Sequence, residues 1–332
     1  MPPTAFAEDS PGIKGLQPDV TFSESSPLAS NAELAQRLLT PLYAMRVRQQ
    51  LAQSGQKLRE QSIDLAHEHF VVYAPAVVPP HGYALMVFVS PWTEAKLPEG
   101  WAAELDRCGM IFVSAANSGN EANIFERREP LALLAAANIK ARYPIDPERV
   151  YVAGFSGGAR VALRLVLGYP DVFHGALLMS GTDAIGDAQA PLPSATLFQE
   201  FQKSRLVYMT GDQDWINLDK DVASRRSLRD WCVFDVDTEV MTQTGHEIAD
   251  PASLRRALAA LDTHEAVDTV KLAACRARIG DALAKDLQRL EATVTSGNLR
   301  DARTLLSKLD ERYGGLAAPQ SLALAERIDT AR

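Results

Sequence analysis

The stretch RVYVAGFSGGARVALRLVL, Arg149 to Leu167, decides the fold. It opens with Val150-Tyr151-Val152, a β-branched and aromatic run too short for a helix and apolar enough for a buried strand. Gly154-Phe155-Ser156-Gly157-Gly158 follows, and then Val161, Ala162, Leu165 and Val166 recur at helical spacing. Strand, G-x-S-x-G and helix is the layout of a nucleophile elbow. A serine on so sharp a turn sits in strained backbone, and its crowded neighbours must be glycine. The helix start behind it supplies N–H donors and positive dipole where a tetrahedral oxyanion would form. Ser156 is therefore the candidate nucleophile; the competing reading is a plain glycine-rich or phosphate-binding turn.

Around the elbow, short apolar strands alternate with helices. Tyr83–Val89, Met110–Ala115, Gly175–Met179, Leu206–Thr210 and Thr238–Thr242 read as strands. Helices are expected over Trp101–Arg107, Pro130–Arg142 and Ser224–Trp231, and Asp250-Pro251 opens another, with Asp as cap and Pro in the first turn. This alternation predicts an α/β fold with a mostly parallel sheet covered on both faces, and active sites there lie at the carboxyl ends of the strands. Residues 1–30 read as a tail and 31–55 as N-terminal helix broken or kinked at Pro41. Residues 56–264 read as the catalytic α/β domain, entered through two paired strands at Ser62–Leu65 and His69–Tyr73. Residues 265–332 turn purely helical, with leucine stripes at Leu283, Leu287, Leu290 and at Leu299, Leu305, Leu306, Leu309. This C-terminal α-helical appendage is expected to cover an apolar side of the sheet; the competing reading is a protein-partner site on a helical hairpin.

The chain has 332 residues and a net charge of −8, which argues against nucleic acid and acidic membrane surfaces as main partners. No apolar run is long enough to span a bilayer. Cys108, Cys232 and Cys275 are widely spaced and are expected to be free buried thiols, with a bridge between one pair as the competing reading. Ala5-Phe6-Ala7 has the form of a cleavage-site remnant, which implies export to the periplasm or medium; without that remnant the chain reads as cytoplasmic. His67-Glu68-His69 offers two imidazoles on one strand face, but no third metal ligand is evident and no metal is expected.

A serine needs a base, and the base an orienting acid, in the chain order Ser, Asp or Glu, His for sheets with this elbow. His174, His246 and His264 follow Ser156. His174 precedes a strand, at the wrong end of the sheet, and His264 follows a late helix. His246 lies in Thr244-Gly245-His246-Glu247, just beyond a strand, and is the expected base. Activity should then rise with pH as the imidazole gives up its proton. The acid lies in Gly211-Asp212-Gln213-Asp214-Trp215, with Asp214 preferred over Asp212; Asp219 and Asp221 read as a solvated run. The oxyanion donors are expected to be the N–H groups of Gly157 and of Trp92, since Pro91 has none. Trp92, Trp215 and Phe155 are candidates for aromatic walls of a substrate pocket.

The run Tyr143-Pro144-Ile145-Asp146-Pro147-Glu148-Arg149-Val150-Tyr151, the elbow, and Gly168-Tyr169-Pro170-Asp171-Val172-Phe173 with Ser180-Gly181 resemble the α/β-hydrolase superfamily, and within it the branch of poly(hydroxybutyrate) depolymerases and feruloyl esterases. The resemblance covers roughly Ser62 to Leu261. It implies a serine esterase with Ser156 as nucleophile, Asp214 as acid and His246 as base, and no cofactor. Two departures stand out: Ser90-Pro91 replaces the family's His-Gly at the oxyanion loop, and no polymer-binding domain is evident. The expected substrate is a small-molecule or short oligomeric ester. The rival readings are a serine peptidase of similar fold and a non-catalytic binding protein on the same scaffold.

Overall fold

The computed structural model describes residues 12–263 and 268–331. In chain order these form β1 (Gly15–Val20), α1 (Asn31–Leu38), α2 (Pro41–Gln53), β2 (Phe70–Ala74), β3 (Tyr83–Val89), α3 (Trp101–Cys108), β4 (Met110–Ala115), α4 (Glu129–Arg142), β5 (Ile145–Phe155) and α5 (Gly157–Gly168). There follow β6 (Gly175–Met179), α6 (Ala195–Phe201), β7 (Arg205–Gly211), α7 (Trp215–Asp230), β8 (Val236–Met241), α8 (Pro251–Leu261), α9 (Thr269–Thr295), α10 (Leu299–Tyr313) and α11 (Gln320–Thr330). A π-helical turn at Ile124–Arg128 leads into α4.

The strands make one sheet in the order β1-β2-β4-β3-β5-β6-β7-β8. From β4 to β8 every pairing is parallel, while β2 runs antiparallel to β4 and β1 antiparallel to β2. Strands β3, β4, β6 and β7 are buried along their whole length, as parallel strands covered on both faces must be. One core layer packs α1, α4 and α5 on the sheet through Leu34, Leu131 and Leu165. The opposite layer packs α3 and α8 through Trp101, Leu105, Leu254 and Leu258. Trp101 is fully buried and its indole N–H donates to the Ala249 carbonyl at 2.9 Å, which anchors the segment just beyond His246.

Several expectations need correcting. Residues 15–20, expected in a tail, form edge strand β1 on β2. Leu16 is exposed and Pro18 interrupts the donors, both tolerable only at an edge, so the run carries no buried-strand signal. The strand expected at Ser62–Leu65 is a turn instead. The Asp64 carboxylate accepts from the Ala66 N–H at 3.1 Å, and the His67 N–H donates to the Asp64 carbonyl at 2.8 Å. This local Asx bonding wins over a ladder. His67 and His69 are bonded to Asp64 and Asp19, and Glu68 pairs with Arg127. The break expected at Pro41 in the N-terminal helix is present: α1 ends before it and Pro41 starts α2.

Cys232 and Cys275 are bridged across 43 residues, tying the end of α7 to α9, and Cys108 alone is free. Their distance in sequence hid a contact that only the packing of the appendage creates. Helices α9, α10 and α11 do not lie on the sheet. They build a separate cluster from Leu290, Val294, Leu306, Leu309 and Ile328, closed by Leu42 of α2. The buried Asp310 carboxylate accepts from the Leu42 N–H at 3.1 Å, so the appendage docks on the N-terminal helices. Ala5-Phe6-Ala7 and His264 lie outside the described residues.

Candidate active site

The carboxyl ends of three parallel strands carry the predicted residues: β5 delivers Ser156, and beyond β6 follow β7 with the Asp214 loop and β8 with the His246 loop. Ser156 has φ 56° and ψ −121°, a conformation L-residues avoid. The turn can be this tight because a Cβ on Gly158 would lie 1.9 Å from the Val89 carbonyl oxygen, and one on Gly154 would lie 2.3 Å from the Gly158 carbonyl. Glycine at both places is a packing requirement.

The Ser156 Oγ lies 2.9 Å from His246 Nε2, and His246 Nδ1 lies 2.7 Å from the Asp214 carboxylate. Asp214 is buried, whereas the His246 side chain is 44% exposed, so the imidazole is reachable from solvent. Burial would raise the Asp214 carboxyl, but hydrogen bonds from His246 and Asn217 outweigh it and hold it below the usual carboxylate value. Asp214 is thus an anion wherever an imidazole titrates. Asp212 does other work: its carboxylate accepts from the Thr244 N–H at 3.2 Å, and its own N–H donates to the Met241 carbonyl at 3.0 Å. It fastens the turn that leads to His246.

The aromatic candidates separate. Phe155 is buried with its ring centroid 4.9 Å from that of His246 and 5.7 Å from that of Trp92, so it backs the imidazole instead of lining a pocket. Trp215 is 74% exposed in the first turn of α7, standing in solvent rather than forming a wall. The N–H of Trp92 is taken: it donates to the Ser90 hydroxyl at 2.9 Å. The N–H of Gly157 lies in the first turn of α5, where the helix offers no acceptor.

Four residues that the sequence reading passed over, or placed in a solvated run, support this edge. Asn217 donates to both Asp214 oxygens, at 2.9 and 2.8 Å; its position three residues after Asp214, on one helical turn, was the available signal. Asn120 lays its side-chain amide against Gly157, close enough that a Cβ there would sit 2.2 Å from Oδ1. Its loop is zipped to the segment after β3 by Asn120 N–H to Pro91 O at 3.0 Å and Asn117 N–H to Thr93 O at 2.7 Å. Arg128 is buried and donates to the carbonyls of Ser118 at 2.8 Å and Ser90 at 3.0 Å, bracing both loops. Burial pushes its guanidinium down to about 10. Asp221, expected in a solvated run, is buried and accepts from Thr182 N–H at 3.0 Å and from the Thr182 and Thr210 hydroxyls. Burial is the largest influence on its carboxyl and raises it.

Residues 112–265 match the family described as Phospholipase/Carboxylesterase, which supports ester hydrolysis in general. A 44-residue segment is 50% identical to poly(3-hydroxyalkanoate) depolymerase C of Paucimonas lemoignei, over 13% of this chain and 11% of the depolymerase. The chain therefore matches only a small part of that relative's length. Among solved structures, the α/β-hydrolase MGS-M1 from a Medee basin deep-sea metagenome library is 16% identical, with 59% of this chain and 94% of that one covered at a TM-score of 0.46. An acylaminoacyl peptidase in complex with a chloromethyl ketone is 14% identical, covering 68% and 45% at a TM-score of 0.46. The parallel run of strands from β4 to β8 with helices on both faces gives this chain the α/β-hydrolase fold, and residues 112–265 are similar to the Phospholipase/Carboxylesterase family.

Proposed function

We propose that the chain is a serine esterase that cleaves carboxylic esters through an acyl-enzyme. The observation that carries this reading is the unbroken line from the Ser156 Oγ to His246 Nε2 at 2.9 Å and from His246 Nδ1 to Asp214 at 2.7 Å. In this scheme His246 takes the Ser156 proton as the oxygen attacks the ester carbonyl, and the imidazolium faces a carboxylate already ionised. His246 then passes the proton to the departing alcohol, and the ester C–O bond breaks. Water, deprotonated by the same imidazole, attacks the acyl-serine and returns the free acid. The Gly157 N–H holds the oxyanion; Asn120 joins it only through its Nδ2, the Oδ1 nearest Gly157 being an acceptor, and the Trp92 N–H only by leaving Ser90.

The exposed face of His246 suits small or short oligomeric esters. The Paucimonas relative is named for a polyester, and a soluble oligomer of such an ester falls within this class. The Cys232–Cys275 bridge fits an oxidising compartment and so an exported enzyme. An alkyl fluorophosphonate tests the reading: one adduct is expected, on the peptide containing Ser156, with loss of ester turnover. An unmodified Ser156 under conditions that inactivate a known serine esterase would contradict it and favour a binding role.

A further inference from the structure

Helices α1 and α2 lie outside the matched family region, yet they form one wall of a groove that is also lined by Arg160 and Val161 of α5, the helix that begins at the elbow. The groove holds about 690 Å³, within the ~300–1,000 Å³ of small-molecule sites. Leu39, Tyr43 and Val47 form one wall, Ile124 and Phe125 of the π-helical turn the other, and Val161 of α5 contributes to the lining. Tyr43 is 58% and Ile124 41% exposed, so two large apolar side chains face water beside this space. The positions tie it to the nucleophile. Arg160 and Val161 follow Ser156 by four and five residues, about one helical turn along α5. Asn123, which also lines the groove, is three residues beyond Asn120, whose amide rests on Gly157.

Charge decides what could fill it. Arg164 is held by Glu129 at 2.7 Å and by the carbonyls of Leu38 and Gln189, and Arg160 faces Asp183 at 3.6 Å. Glu129 and Asp183 match the two cations in charge, although the Arg160 Nε has no hydrogen-bond partner, and the rest of the wall is mainly apolar. We infer that it receives the neutral apolar acyl chain of a medium-chain ester, and that α1 and α2 thereby set chain-length preference. The inference rests on the esterase reading of Ser156.

A series of nitrophenyl esters from acetyl to decanoyl tests it. In the wild type kcat/KM should climb about two- to fourfold per methylene over the part of the chain that enters the groove, the upper figure being full burial of each CH2. Tyr43→Asp and Ile124→Asp should each cut the decanoyl-to-acetyl ratio at least tenfold. Val77→Asp, on a distant exposed position, should leave that ratio alone. A flat wild-type series, or an unchanged ratio in both groove variants, would overturn the inference while leaving ester cleavage intact. Binding separates the two claims further. Ser156→Ala should bind a dansyl dodecanoyl amide saturably, and adding Tyr43→Asp should weaken that binding at least tenfold. Saturable binding so weakened supports the groove even if no ester is turned over; absence of saturable binding overturns it.

Discussion

The carboxyl edge of the sheet and the C-terminal appendage are held together by different physics. At the edge, directional bonds dominate: Arg128 braces two loops by their carbonyls, Asp221 gathers the segment after β6, and Asn217 fixes Asp214. The appendage closes on one aliphatic cluster, a few polar ties such as Tyr313 to Asp286 at 2.9 Å, and a disulfide. Hydrophobic burial is non-directional and tolerates small shifts, whereas hydrogen-bonded loops fix positions to fractions of an ångström. Losses at the edge should therefore appear in turnover, and losses in the appendage in stability.

The largest effect expected of that contrast is at the acid. Asp214→Asn should lower kcat by about 10⁴, as loss of the orienting carboxylate does in a serine triad. Asp212→Asn, which only loosens the bond to the Thr244 N–H, should cost far less. Equal losses would erase the distinction between the two carboxylates. Next comes Asn120→Ala. If its amide helps hold the oxyanion, kcat should fall about 10²-fold with little change in KM, the size seen when one such donor is removed. An unchanged kcat would leave Gly157 without that neighbour's help. Smallest in turnover is the bridge. Cys232→Ser should lower folding stability by about 2–4 kcal/mol, read by urea melts, with turnover of the surviving fold within a few-fold of wild type. A large loss of kcat without loss of stability would mean that the appendage reaches the chemistry.

Legibility in the sequence follows the same divide. That Ser156, Asp214 and His246 come together could be read because each sits on a loop set by a local pattern: a glycine-rich elbow, a strand running into paired aspartates, a glycine before a histidine. Their neighbours could not. Asn120 meets Gly157 only because β4 and β5 both flank β3, and Arg128 reaches Ser90 across thirty-eight residues. Edge strand β1 lacked a burial signal, and Asp221 looked solvated because charge in a helix ordinarily is. The Ser90-Pro91 sequence pointed to Trp92 as a donor without revealing that the serine hydroxyl takes that N–H. The docking of α10 and α11 on α2 joins the two ends of the chain, a contact that periodicity cannot express.

The most direct test of the account is hydrolysis of nitrophenyl acetate and butyrate by wild type and Ser156→Ala, measured side by side with matched folding checks. The account predicts turnover by the wild type and a loss of several orders of magnitude, up to about 10⁶, in the variant. Equal and slow rates in both proteins would contradict it, and would make the elbow a piece of architecture.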